Sequence, residues 1–191
     1  MSKVLVIGCG GIGSHLCREI DRLIQLGQLS AIVSIADFDT VDVKNIEYGQ
    51  DFSEKDLMKN KAECLGKKYS FKAINKRINE NDLSGYDLIV LAVDNNSTRE
   101  MVMRYCHNNN KDYIDLRADG RMIFAKPKGK SLEEDLKTLD LQDRESGSCQ
   151  TQQDIDKDWI QNGNIIIASI GSQMILNWER KEDNYKLILK I

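Results

Sequence analysis

One proline, two histidines and 6% aromatic residues in a chain of 191 are what this sequence has least of. Both histidines, His15 and His107, fall in stretches with helical apolar spacing, which gives little support to a histidine-centred triad or metal cluster. The five cysteines, Cys9, Cys17, Cys64, Cys106 and Cys149, are scattered and include no C-x-x-C pair. That removes a zinc staple and a thioredoxin-type motif. An odd, dispersed set of thiols fits a reducing compartment, and a cytoplasmic setting is the expectation. The apolar runs, such as residues 165–168, fall far short of the ~20 residues that cross a bilayer. Residues 4–7 break at once into glycines and read as a strand, not as a targeting peptide. A net charge of -3 and a pI near 5.5 argue against nucleic acid or an anionic membrane as a general partner.

What is present is organised around the first thirteen residues. Val4-Leu5-Val6-Ile7 is a run of branched apolar residues, the pattern of a strand buried on both faces. It enters Gly8-Cys9-Gly10-Gly11-Ile12-Gly13, and Leu16, Ile20, Leu23 and Ile24 then follow at helical spacing over residues 12–26. Strand, glycine turn and helix together make a cradle for nucleotide phosphates. Glycines let the backbone approach a pyrophosphate, and the helix start offers unpaired N–H groups and a positive dipole end. The same turn also occurs for packing alone, so its context matters.

The spacing predicts further strands over residues 31–36, 71–74, 87–93, 113–117 and 121–125. Ser53 followed by Asp56 resembles a capping box ahead of the helix through residues 61–69. Ser97 or Thr98 is the expected cap of a helix reaching about residue 108, and Asp119-Gly120 the expected hairpin turn. Strand and helix alternate up to Leu116, which predicts an α/β fold: a Rossmann-like, doubly wound, mostly parallel sheet with antiparallel edge strands and helices on both faces. Residues 126–163 read as a polar excursion over the active face, residues 165–176 as a buried helix and 185–191 as a closing strand. One domain spanning 1–191 is expected.

In such sheets ligands bind beyond the carboxyl ends of the strands. Those ends carry Asp37 and Asp39, Asp94 and Asn95, then Asp115 and Arg117. An acidic residue after the second strand can hold ribose hydroxyls. Asp94 can hold Mg²⁺ beside a triphosphate, or Asp94-Asn95-Asn96 can simply cap a helix. Lys61, near a helix start, would ordinarily be solvated. Cys149, in Gly147-Ser148-Cys149-Gln150, is a candidate thiol or an incidental one.

Taken together, Gly8 to Gly13, Asp37-Phe38-Asp39-Thr40-Val41, Asn45, Lys61-Ala62 and Asp94-Asn95 with Arg99 resemble the ThiF/MoeB superfamily, the adenylating fold shared with ubiquitin-activating enzymes. Residues 114–117 and 148–150, leading to Gly163-Asn164, look like the short ThiF-like proteins of phages, plasmids and microbial mobile elements. The resemblance implies ATP and Mg²⁺ as ligands and adenylation of the C-terminal carboxylate of a ubiquitin-like or sulfur-carrier protein. It implies Gly8, Gly10, Gly11 and Gly13 at the phosphates, Asp37 and Asp39 at the ribose side, and Asn45, Lys61 and Asn95 within the nucleotide site. Asp94 would hold the metal, Lys61 would assist the chemistry, and Cys149 would receive the activated acyl group. A homodimer is implied as well. The sequence departs from the pattern after Asn45, where the family places an arginine and this chain has Ile46-Glu47-Tyr48-Gly49-Gln50. Loss of that cation removes stabilisation on the order of a few kcal/mol, unless Arg99, Arg117 or Arg121 supplies it. A nucleotide-binding scaffold without turnover, or a nicotinamide-dependent oxidoreductase built on the glycine turn and Asp37, are the alternatives.

Overall fold

The computed structural model describes residues 1–119, 122–139 and 162–190. Seven strands form one sheet: β1 (Ser2–Ile7), β2 (Ala31–Ala36), β3 (Lys72–Ile74), β4 (Leu88–Leu91), β5 (Asp112–Asp119), β6 (Met122–Pro127) and β7 (Leu187–Lys190). Their order is β3-β2-β1-β4-β5-β6-β7. The first five run parallel, whereas β6 and β7 are antiparallel to their neighbours. The chain winds outward from β1 through β2 to β3, then returns to the other side of β1 as β4. The reversal beside β1 opens a crevice at the strand ends.

The period-two alternation of β1 divides the core. Val4 and Val6 face one side with Leu16, Ile20, Leu65, Ile167 and Ile175. Leu5 and Ile7 face the other with Ile89, Leu91, Val102, Met103 and Tyr113. Helices α1 (Gly11–Gln25), α3 (Lys61–Tyr69) and α6 (Gly163–Arg180) cover the first face. Helices α4 (Asn96–Asn108) and α5 (Leu132–Leu136) cover the second. Burial on both faces is why β1 and β4 read as unbroken apolar runs.

Several local expectations are corrected. The stretch after Asp42, where no element was expected, forms a one-turn helix, α2 (Val43–Glu47), closed by a reciprocal capping box between Asp42 and Asn45. The box of Ser53 and Asp56 exists, but it starts a 3-10 turn at Glu54–Asp56. Helix α3 is capped instead by Asn60, whose side chain accepts from the Glu63 N–H. Neither Ser97 nor Thr98 caps α4; the Asn95 side chain does, accepting from Thr98 N–H at 2.9 Å. A side-chain oxygen caps best one residue before the first helical one, and the helix begins earlier than the sequence suggested. The polar excursion also starts later than expected, because Lys126 belongs to β6 and is buried. No helix of the described residues is long and apolar enough to cross a membrane.

His15 on α1 is 5% exposed. Burial and then Arg18 lower its pKa, against weaker opposing effects of Asp51, the Gly49 backbone and Glu19. The folded state therefore binds this proton less readily than the unfolded chain does. Its contribution to stability is full above the unfolded value of ~6.5 and is lost as pH falls below it. Urea unfolding at descending pH is expected to show that slope, and His15→Gln to flatten it; an unchanged slope in the variant would contradict this.

Candidate functional site

In the register of the central strands, Ile7 lies beside both Ala36 and Leu91. Gly8, Asp37 and Ala92 therefore leave the sheet at one level. Gly8 N–H donates to Ala36 O and Ala92 N–H to Ile7 O, both at 2.9 Å. Above this rim lies a cleft of about 670 Å³, lined by Gly8, Gly10, Gly11, Asp37, Asp39, Asn45, Lys61, Asp94 and Asn95 together with residues of the neighbouring loops.

The glycine turn is shaped by two close approaches. Gly8 has φ +96°, and a Cβ there would stand 2.4 Å from Ala92 O. Gly13 does not line the cleft; its Cβ would stand 1.9 Å from Gly8 O, so it serves the packing of α1 onto β1. Gly10 has open space where a Cβ would be. It is also the N-cap of α1, and no side chain caps that helix. The first N–H groups of a fifteen-residue helix thus face the cleft without a capping side chain, a setting that favours an anion.

Asp37 holds this turn from β2. Its Oδ2 accepts from Cys9 N–H at 2.6 Å and its Oδ1 from Asp39 N–H at 2.9 Å. Burial raises its pKa, while those two N–H groups and Lys61 act in the opposite direction. Both Asp37 oxygens are thus engaged with backbone, and Asp39, with a side chain 52% exposed, presents the freer carboxylate. Lys61 opens α3, donates its N–H to Asp39 O at 2.9 Å, and brings Nζ to 3.6 Å from Asp39 Oδ2. At 9% exposure it is a wall residue and not the solvated lysine its position suggested. Asn45 spends its Oδ1 on Asp42 N–H at 2.8 Å. Asp94 stands exposed three residues beyond the β4 end and directly before Asn95, the N-cap of α4.

The departure after Asn45 is not made good by the two arginines on the far side. Arg99 is 2% exposed, with Nε on Asp115 Oδ1 at 3.2 Å, Nη1 on Asn96 Oδ1 at 3.2 Å, and Nη2 on Val93 O. Arg117 spends Nε and Nη2 on Asp115 Oδ2 at 2.8 and 2.6 Å, and Nη1 on Thr138 O. Both guanidinium groups are committed to the fold. Arg121 and Cys149 lie outside the described residues. Besides Lys61 and the committed Arg99, the cations that line the cleft are Lys76 and Arg77, just after β3, with Arg77 4.2 Å over the ring of Phe38. They follow a strand end, so the rule that located Asp37 and Asp94 would have found them had it been applied to β3. Among the described residues no group of three His, Cys, Asp or Glu side chains could hold a metal. A lone carboxylate at Asp94 fits Mg²⁺, which takes one or two protein carboxylates and completes its shell with water and phosphate oxygens.

A model of the ThiF family matches residues 1–185. The chain belongs to the ThiF family. Among curated proteins it is 30% identical over 131 residues to the SUMO-activating enzyme subunit uba-2 of Caenorhabditis elegans, a match covering 62% of this chain and 22% of that protein. It is 27% identical over 131 residues to ubiquitin-activating enzyme E1 1 of Arabidopsis thaliana, covering 65% of this chain and 12% of that one. This ThiF-family chain thus spans about a fifth of those relatives or less. Of solved structures, E. coli MccB with ATP superposes with a TM-score of 0.69 at 21% identity, covering 100% of this chain and 60% of MccB. PaaA gives 0.71 at 19% identity, covering 100% and 61%. At such identity these structures establish the shared fold, and the sheet order and antiparallel edge described above are those of that fold.

Proposed function

We propose that this ThiF-family protein binds ATP with Mg²⁺ and adenylates a terminal carboxylate of a peptide, ubiquitin-like protein or sulfur-carrier protein. The observation that carries the proposal is the convergence of five separate segments on one cleft: the glycine turn, Asp37 and Asp39, Asn45, Lys61, and Asp94 with Asn95. A nicotinamide site accounts for the first two segments and leaves the lysine and the last carboxylate without a task. In the reaction an acceptor carboxylate oxygen forms a bond to the α-phosphorus of ATP. The bond from that phosphorus to the bridging oxygen breaks, pyrophosphate leaves, and an acyl adenylate remains. The protein's part is positioning and charge neutralisation. The N–H groups of the glycine turn and the Lys61 ammonium meet phosphate oxygens, Asp39 and Asp37 form the ribose side, and Asn45 borders the phosphates. Asp94 would hold Mg²⁺, which supplies neutralisation of triphosphate charge. Transfer to Cys149, a homodimer, a single functional domain and a cytoplasmic setting complete the reading.

A scaffold that binds nucleotide without turnover is the second reading, favoured by the commitment of Arg99 and Arg117 to Asp115. ATP–pyrophosphate exchange with a cognate acceptor distinguishes the two. The first test is thermal unfolding with Mg·ATP and, in parallel, NAD. A ligand at about a hundred times its Kd stabilises by roughly 2.7 kcal/mol. Mg·ATP is expected to raise the midpoint and Asp94→Ala to reduce that rise sharply; a response to NAD alone would overturn the proposal.

A further inference from the structure

Several polar side chains of the cleft belong to none of the five segments, and Asn164 is one of them. Asn164, in the first turn of α6, lines the cleft beside Gly11. Its amide nitrogen stands 2.5 Å from where a Cβ on Gly11 would be, so the amide rests directly on the bare backbone of the glycine turn. Its Oδ1 is buried and accepts no hydrogen bond from any described residue. The helix that carries it packs along α1 through Ile167, Ala168 and Ile175, which fixes the amide's distance from the turn.

A buried polar atom without a partner is rare in a folded protein. Here it belongs to a side chain on the wall of a cleft, and with no described donor on its Oδ1 nothing there fixes which end of the amide is which. A carboxamide carries a donor end and an acceptor end, and a half-turn about its last bond exchanges them. Beside the uncapped start of α1 the local field favours an anion, and the end that an anion meets is the NH2. Any side chain at position 11 would occupy this space, so glycine there keeps the amide and the turn in contact as well as letting a ligand approach.

We propose that Asn164 is a ligand-binding residue of this site, donating its amide N–H to a phosphate oxygen of the nucleotide beside Gly11. The assignment rests on the reading of the cleft as an ATP site, and it adds a contact from α6, on the far side of the turn from Lys61. It also gives the phosphate region a neutral donor in a chain that lacks the family's arginine after Asn45.

The test is calorimetric titration of the full chain and of Asn164→Ala and Asn164→Asp with Mg·ATP, inorganic tripolyphosphate and adenosine. Melting midpoints of the ligand-free variants check that each is folded. Asn164→Ala is expected to weaken Mg·ATP and tripolyphosphate by about tenfold or more, as loss of a hydrogen bond to a charged group does. Asn164→Asp, nearly the same shape, is expected to weaken both further, because a carboxylate then faces the phosphates. Adenosine binding is expected to be unchanged in both. If wild-type protein binds Mg·ATP and the variants match its Kd, Asn164 has no such role. Equal losses for adenosine and ATP would assign it a purely structural one. If wild-type protein binds no ATP at all, the site reading itself falls, and this assignment with it.

Discussion

Asp115→Ala is expected to remove about 3–5 kcal/mol of stability, the usual cost of breaking a buried ion pair from one side. Asp115 is fully buried, and it is the carboxylate partner of two guanidinium groups that are each 2% exposed. Its Oδ1 takes Arg99 and its Oδ2 takes two N–H donors of Arg117. Alanine would leave two cations out of water with only neutral acceptors, namely Val93 O, Asn96 and Thr138. Arg117 also lies 4.6 Å over the Phe124 ring, which softens but does not replace the lost charge. The effect should reach the cleft, because Arg99 ties the β4 end, just before Asp94, to β5. Urea unfolding gives the stability change, and the Mg·ATP midpoint shift measured on the same variant gives the coupling. A loss below about 1 kcal/mol would mean that the guanidinium groups find water when the carboxylate goes, and that they are not held as tightly as the distances imply.

Gly13→Ala is the second large effect, expected at about 3 kcal/mol or more, at the upper end of overpacking costs. The added methyl would sit 1.9 Å from Gly8 O and 2.8 Å from Gly8 C. Both are backbone atoms of the turn, so no side chain can rotate away. Relief requires α1 to back off β1, which opens the interface where Leu16 and Ile20 meet Val4 and Val6. Gly10→Ala supplies the contrast. It meets nothing within 4 Å, so its stability should change by no more than roughly 1 kcal/mol in either direction. Its methyl would nevertheless stand at the cleft, and the thermal response to Mg·ATP should fall. Equal destabilisation by the two substitutions would refute this division of the turn into a packing glycine and a ligand-facing one.

The fold was legible where burial leaves a periodic mark. Residues 31–36 were placed to the residue because five of the six are apolar, the mark of a strand covered on both faces over most of its length, and the antiparallel edge was visible in the paired apolar runs around residue 120. Caps and one-turn helices were less legible. Ser97, Thr98 and Asn95 are all good caps, and which one is used depends on where β4 releases the chain, a tertiary matter. At the site, the acidic strand ends and Lys61 stood out as residue types at strand and helix ends. That Asp37 would spend both oxygens on backbone N–H groups was not legible, since it depends on the turn folding back to β2. The commitment of Arg99 and Arg117 to Asp115 lay equally out of reach, because no spacing says which cation a carboxylate will meet. Asn164 stood only within a stretch that carries the family resemblance, with no role attached: a lone asparagine at a helix start is ordinary, and only the approach of α6 to Gly11 sets it apart.

The hydrogen bonds from Cys9 N–H and Asp39 N–H to the Asp37 carboxylate, and from Lys61 N–H to Asp39 O, bear on the entropy of association. The turn, the β2 end and the α3 start are already tied to one another through backbone groups before anything enters the cleft. A ligand that spans them need not freeze three independent loops, so most of its gross interaction energy is available as affinity. Cutting the tie at Asp37 would therefore lower affinity for a ligand reaching both ends of the cleft more than for a fragment touching one.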